Sequence, residues 1–466
     1  MIYITIIAIY FLIVLSIGVY VRRKARGADG FFVAGRRGNT FFITGSLVAT
    51  IIGASATVGM AGLGYSRGLT GAWWILVGSI GLVFLGIFFA GKVRNMALYT
   101  LPELAEKQYD KRVGILTSVL IIIAWIGVIA GQILATGKIL SVIGIGDPTL
   151  WMIVFTAVFV IYTLIGGQYA DIGTNVVQAA IIIIGVIVGM LLVLPSVGGI
   201  DGLKSTLPAD RFAFPLSTQF DVMDLLSYLL IIGLTYVVGP DMYSRIFCAR
   251  DAKSARNAVL WAALIIAPLA FCITVIGMEA AVLFPQISPE QAFPSILVND
   301  VLPPIVGGLV LAALVSATMS SADSCLISTS TILTIDIIKK WKPTINERQT
   351  LVIARWTIFA IGLLSLLLAL VLKGVISALL FAYTVYTCGV ILPVLAGFYR
   401  KKLGVTPIGA IAAILGGGTL GIISKLMQVK YLDFGALLLS GVLLFAVSAI
   451  DNRLQHRKAD AKPASD

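Results

Sequence analysis

Runs of about 20 consecutive apolar residues recur from one end of the chain to the other, and that length is what a hydrocarbon core roughly 30 Å thick demands of a crossing helix. We read thirteen such spans, at about 2–21, 40–66, 71–91, 113–142, 148–166, 174–195, 222–244, 257–284, 297–337, 350–372, 374–398, 405–427 and 432–450. Only 12% of the 466 residues are charged and 59% are hydrophobic, too little polar cover for a soluble domain. The expected fold class is therefore an all-α polytopic membrane protein, because a helix satisfies its own backbone groups where no water can. The run at 297–337 is too long for one simple crossing, so its first part is expected to form an extramembrane or interfacial helix. The opening MIYITIIAIYFLIVLSIGVY has its arginines after the apolar run, and reads as a retained first span.

Charge gives the orientation. The loops at 22–39, 92–112, 245–256, 339–355, 400–402 and 453–462 hold 27 of the 34 Lys and Arg residues, and thirteen spans put all of these loops on one side. By the positive-inside rule that side is the cytoplasm, with the N-terminus outside and the C-terminus inside, in the plasma membrane. The net charge of +12 is thus spread over short loops and forms no patch for nucleic acid. Cys248, Cys272, Cys325 and Cys388 are scattered in mostly apolar segments and form neither a disulfide framework nor a metal spacing. The single histidine, His456, lies in the tail RLQHRKADAKPASD, which reads as disordered. There is no P-loop, no G-x-S-x-G and no H-E-x-x-H, which leaves ATP-driven pumping and histidine-based catalysis unsupported.

One apolar stretch, residues 310–338, is crowded with hydroxyls. On a helix Ala317, Ser320, Ser321, Ser324, Ser328 and Thr331 share one face, and Asp323 lies about a sixth of a turn beside it. Small hydroxylated residues also let membrane helices pack closely. An ionised side chain at bilayer depth, however, costs on the order of 2.5–3.5 kcal/mol, so an acid there faces a cation, a partner or water.

Three other segments carry more than an anchor needs. The second span holds Gly45, Gly53, Gly59, Gly62 and Gly64 with Ser46, Thr50, Ser55 and Thr57. Those glycines are either a close-packing face or a helix meant to break. Five spans later the seventh repeats the character with Gly233, Thr235, Gly239 and Pro240, the pattern of an inverted-repeat transporter with two interrupted helices. In GGQYADIGTNVVQ, Gly166 and Gly167 can end one helix and Thr174 or Asn175 can cap the next. Gln132 either joins helices or lines a cavity. Trp125, Tyr236, Tyr383 and Tyr386 either pack or face a small solute.

The segments VATIIGASATVGMAGLGY, GGQYADIGTNVVQ, GPDMYSRIFCARDAKSAR and AALVSATMSSADSCLISTSTILTIDI resemble the sodium:solute symporter family, over nearly the whole chain. That resemblance implies a LeuT-type fold of two inverted five-helix repeats with two broken core helices, and carriage of a carboxylate, amino acid, sugar or vitamin with sodium. It divides the chain into a first helix and cytoplasmic loop (1–39), a first repeat (40–200), an extracellular loop (201–221), a second repeat (222–400), two C-terminal helices (401–451) and a cytoplasmic tail (452–466). Matched motif to motif, it implies a sodium site from the carbonyls of Ala49, Ile52 and Ala317 and the hydroxyls of Ser320 and Ser321. Carbonyl and hydroxyl oxygens of this kind can replace the hydration shell of a hard monovalent cation.

Some members of that family hold a further sodium with an aspartate following a threonine. Here the pair is Thr174–Asn175, and Asp323 stands where such members have serine. A second cation or proton site is therefore expected among Asp323, Ser324, Asn175 and Thr174, with Asp323 either facing Asn175 and Ser324 across the helix interface or titrating to couple a proton. The resemblance puts the solute near Ser55, Thr57, Trp125, Gln132, Tyr236 and Tyr386, with Arg67 and Lys138 near the external face. The expected partners are a small solute, sodium and the bilayer, with no cofactor and no obligatory protein partner. Two rivals remain: a sensor, which needs an output domain that the short tail does not offer, and an intramembrane enzyme, for which no histidine or lysine is placed to activate Ser320 or Ser321.

Overall fold

The computed structural model describes residues 2–21, 27–141, 147–297, 301–427, 429 and 431–460. Among them the chain is helical, with two isolated β-bridges and no strand. In chain order, the first half holds α1 (Ile2–Val21), α2 (Thr40–Ile51), α3 (Met60–Arg67), α4 (Trp73–Phe88), α5 (Lys111–Ser141) and α6 (Pro148–Val193). The second half holds α7 (222–237), α8 (Pro240–Cys248), α9 (Ala252–Leu283), α10 (Pro304–Ile332), α11 (Glu347–Ala369), α12 (Val375–Tyr386), α13 (Pro407–Met427) and α14 (Leu432–Asp460).

At the centre is α10, in which every residue from Val310 to Ile332 is buried. Around it the polarity of a soluble protein is inverted: Leu12, Ile123, Leu264, Leu367 and Leu438 face outward, while Asp171, Arg245 and Asp323 are buried. An apolar exterior and a polar interior are what a bilayer as solvent selects.

Both interrupted helices are broken. α2 is capped by Asn39, whose side chain accepts from the Phe42 amide, and stops at Ile51. Ile52 leaves the helical region (φ −81°, ψ 67°), and a π turn over Ser55–Gly59 restarts the helix as α3. α7 contains a π turn at Leu229–Gly233 and ends where Val238 and Gly239 are non-helical. Pro240 then opens α8, a position where its missing N–H costs nothing. The glycines of the second span divide between the two readings. Gly53 lies in the break, and a Cβ there would collide with Ser321; on Gly62 it would meet the Pro289 carbonyl at 2.7 Å. Gly64 and Gly277 make a reciprocal approach of α3 to α9, because a Cβ on either would run into the other helix's backbone, at Thr274 and Ala61.

Among the described residues, eleven stretches are long and apolar enough to cross a membrane, against the thirteen expected. The difference lies in two places. Pro148–Val197 is one apolar stretch, yet Tyr162 and Thr174 hydrogen-bond through their hydroxyls, although residues twelve apart in a straight helix are ~18 Å distant. The chain doubles back at Gly167, whose φ of 53° is glycine's territory. Ser55–Phe88 joins α3 to α4 through the turn at Gly68, while Thr40–Ile51 is too short to be counted as a span. The tail also departs from expectation: α14 is helical to Asp460, beyond the expected end of the span at 450, and 461–466 lie outside the described residues.

At the end of α5, Lys138 pairs with Glu290 and donates to the Lys373 carbonyl at 3.1 Å, while Glu290 accepts from the Val375 amide at 2.9 Å. This ties α5, the turn before α10 and the start of α12 together. The loop before α7 is fastened beside it, with Arg211 donating to the Tyr65 carbonyl (2.8 Å) and Trp73 to the Pro215 carbonyl (2.8 Å).

Gly277→Val tests the α3–α9 contact. Overpacking against backbone costs about 1–3 kcal/mol, more than the ~1 kcal/mol at most that loss of a helical glycine returns. The variant should melt several degrees lower in detergent by tryptophan fluorescence, whereas Gly173→Ala, with nothing within 4 Å, should not.

Candidate cation and solute sites

Where α2 ends, its last carbonyls point at α10. Ser320 Oγ donates to the Ala49 carbonyl at 2.8 Å and lies 3.1 Å from the Ala317 carbonyl. Ser321 Oγ donates to the Thr50 carbonyl at 2.7 Å. Ala49, Ala317 and Ser320 are thus together, and Ser321 reaches Thr50, which the sequence reading did not include. Ile52 is the C-cap residue of the same helix. All of these residues are buried. A hydroxyl that donates to a carbonyl can rotate and offer its lone pairs instead, so this cluster is an oxygen cage able to exchange hydrogen bonds for a monovalent cation.

One turn along α10 lies a second cluster. Asp171, on α6, accepts from Arg245 at 2.6 Å and Gln168 at 3.2 Å through one oxygen, and from Ser324 at 2.9 Å and Asn175 at 3.1 Å through the other. The Asn175 amide also donates to Ser46 (3.1 Å) and Ser324 (3.2 Å), and Ser324 meets the Thr50 hydroxyl at 2.9 Å. Thr174 points its hydroxyl back to the Ala170 carbonyl and across to Tyr162. Asp323 is wholly buried and, among the described residues, neither oxygen accepts a hydrogen bond from a side-chain donor. It lies against the Asp171 carboxyl, within electrostatic range of the Tyr10 and Tyr162 hydroxyls. Two facing carboxyls can be joined by a shared proton or by a cation between them.

The sequence reading missed Asp171 and Arg245. Arg245 counted among the bases of the loop at 245–256, but it lies on α8 with a side chain 0% exposed. Asp171 stands one helical turn before Asn175 on the same face of α6 and accepts from its amide. The i−4 spacing was visible in GGQYADIGTN; the partner on α8 was not.

Between the two breaks is a cavity lined by Ser55, Trp125, Gln132 and Tyr236 from the expected set, and by Thr50, Thr235, Asp241, Ser321, Cys325 and Tyr383 among others. Gln132 accepts from the Ala54 amide at 2.8 Å, in the break of the first helix. Thr57 and Tyr386 stand outside that lining. Thr57 bonds back to the Gly53 carbonyl at 2.9 Å, and Tyr386 donates to the Val238 carbonyl with its ring edge-on to Trp125, 4.9 Å between centroids. Asp241, at the second position of α8, was also missed.

The sodium:solute symporter family model matches residues 31–417. The chain is 26% identical to the sodium/glucose cotransporter of Vibrio parahaemolyticus over 92% of its length and 86% of the relative's. It is 24% identical to the sodium/pantothenate symporter of Escherichia coli over 95% of each. Among solved structures, a Na+-coupled sialic acid symporter in a substrate-bound outward-open state superposes with a TM-score of 0.81 at 19% identity, covering 97% of this chain and 98% of the other. MhsT in complex with L-phenylalanine superposes at 0.56 with 18% identity, covering 88% and 98%. The fold is that of these LeuT-type transporters, and a family match across most of the sequence leaves one assignment: the chain belongs to the sodium:solute symporter family.

Proposed function

We propose that the protein is a secondary active symporter in which sodium, held between α2 and α10, drives a small organic solute through the cavity between the two breaks. Family membership supports sodium-coupled symport of small organic solutes and argues against an enzyme. The observation that carries the ion assignment is the pair of bonds from Ser320 and Ser321 to the last carbonyls of α2. A cation at the oxygens of Ala49, Ile52, Ala317, Ser320 and Ser321 would hold the first half of a broken helix against a central helix, and its release would let them part. That is what alternating access requires of a coupling ion. One sodium moving with 100 mV contributes about 2.3 kcal/mol, enough for more than a tenfold solute gradient before its own gradient is counted. The basic loops orient the termini as read from the sequence, N-terminus outside and C-terminus cytoplasmic.

A second site is favoured by Asp323, whose carboxyl receives no side-chain donor among the described residues and faces Asp171. A sodium or a proton between those carboxyls, with Ser324 and Asn175 beside them and Thr174 behind, would add a second coupling ion. Proton coupling at Asp323 is the alternative to sodium alone.

In proteoliposomes with an inward sodium gradient, uptake of the transported solute should be accumulative. Ser320→Ala and Ser321→Ala should each raise the sodium concentration for half-maximal uptake at least tenfold, the loss of ~1.4 kcal/mol of ion binding. Unchanged sodium dependence in both would place the ion elsewhere. Asp323→Asn, which fixes a neutral side chain, should abolish the pH dependence of uptake or lower the number of sodium ions per cycle measured by reversal potential. If it altered neither, the second site would be wrong.

A further inference from the structure

We infer that the solute carries a positively charged nitrogen, which sits against Asp241, and an oxygen function that takes the free donors across the cavity. The inference rests on the symport reading, since it assigns a solute class to the same cavity.

The residues 240–249 are buried except Asp241, which is only partly covered and lines the cavity. One oxygen folds back toward Gly239, 3.1 Å from where a Cβ would stand, as befits an acid in the first turn of α8. Capping accounts for that oxygen but not for the full negative charge. Among the described residues Asp241 is in no ion pair. The nearest guanidinium, Arg245, is given to Asp171 and touches only the Asp241 main-chain carbonyl, at 3.4 Å. No lysine or arginine lines the cavity.

Charge balance then decides the class. Around the two breaks Asp171, Asp241 and Asp323 share the one Arg245 guanidinium; Glu279, also buried, lies apart on α9 and does not line the cavity. A sodium or proton at the Asp171–Asp323 pair still leaves Asp241 with only the through-space attraction of Arg245, whose guanidinium is bonded to Asp171. Hydroxyls of a neutral solute would leave that charge standing in a medium where an unpaired ion costs several kcal/mol. An anionic solute would add repulsion, and this is how a site rejects one. An ammonium group neutralises it, and the neighbouring side chains suit such a group: Trp125, Tyr236 and Tyr383 line the same cavity, and aromatic faces attract organic cations. The opposite demand is also present. The Trp125 indole N–H is buried with no partner, and Gln132, its carbonyl engaged by Ala54, has its amide N–H groups to offer. Two donors and a carboxylate in the lining of one small cavity describe a molecule with a cationic nitrogen at one end and a hydroxyl or carboxylate at the other, as in amino alcohols, betaines and zwitterionic amino acids.

The test compares each cationic probe with a carbon isostere of the same shape: choline with 3,3-dimethylbutan-1-ol, glycine betaine with 3,3-dimethylbutanoate, and L-proline with cyclopentanecarboxylate. Binding to the purified full chain in sodium is read by thermal shift and tryptophan fluorescence. At least one nitrogen compound should bind tenfold or more tightly than its isostere, and Asp241→Asn should erase that difference. The inference is overturned if no nitrogen compound outperforms its isostere, or if the preference survives in Asp241→Asn. Stabilisation by sodium over potassium, measured without solute, reports the ion site separately and shows that Asp241→Asn is folded. Should that variant not fold, the isostere comparison on the unaltered protein decides alone. Sodium stabilisation without nitrogen preference would sink this inference and leave symport standing, whereas absence of sodium stabilisation would count against the symport reading itself.

Discussion

A helix that stops in the middle of an apolar bundle leaves carbonyls that must find donors, and the arrangement of this protein follows from how the end of α2 is met. Away from water an unsatisfied backbone carbonyl is expensive, so a break at Ile51 persists only where another element supplies what the missing turn would have given. That element is α10. Ser320 and Ser321 donate to Ala49 and Thr50, and this fixes α10 at the centre, where it is buried on every side. A helix in that position can carry hydroxyls around its circumference: Ser320, Ser321, Ser324 and Ser330 bond neighbouring helices, while Thr329 and Thr331 bond back to carbonyls of α10. The hydroxyl stripe and the break are therefore two halves of one device.

The second cluster is joined to the first by a continuous set of hydrogen bonds. Thr50 gives its carbonyl to Ser321 and its hydroxyl to Ser324; Ser324 donates to Asp171; Asp171 pairs with Arg245; and Arg245 touches the main chain of Asp241. Contiguity of this kind does not by itself transmit free energy. Its importance is that an ion at either cluster changes the partners available to Thr50 and Ser324, and so acts on the same α2–α10 contact. A buried ion pair such as Asp171–Arg245 adds little net stability, because desolvation opposes the attraction. Its contribution is positional: it holds α8, the half-helix after the second break, against α6, with Gln168 and Ser244 completing the contact.

What could be read from the sequence follows physical lines. Hydrocarbon thickness sets the length of an apolar run, so helices and fold class were visible without any partner being known. The stripe on α10 was visible because a helix has one period. The limits appear where a residue's role depends on another segment. Arg245 follows an apolar span within a string of bases, and a count of loop charge assigns it to the loop; only its burial against Asp171 shows otherwise. Thr57 shares a segment with Ser55, yet one lines the cavity and the other bonds back to Gly53, because a π turn changes which side chains face the same way. The fold-back at Gly167 was legible as a glycine pair, while a continuous apolar stretch concealed it from a length criterion.

The same reasoning explains why the acids are the informative residues. In a soluble protein a carboxylate near the end of a helix is an ordinary cap, and Asp241 would carry no message. Within a bundle whose exterior is apolar, each acid needs a counter-charge or a proton: Glu279 on α9 is buried with neither oxygen paired among the described residues, and the three acids around the breaks can be compared one by one. Asp171 has Arg245; Asp323 has only Asp171; Asp241 has a cavity. Of these three, Asp323 lies near Tyr10 of α1 and Tyr162 of α6, and Asp241 lines the solute space. A transporter that must hold two positive charges at once, and release both, gains from keeping their sites distinct from the fixed Asp171–Arg245 pair. Each guest then sees a negative partner, and neither has to displace the arginine to reach it.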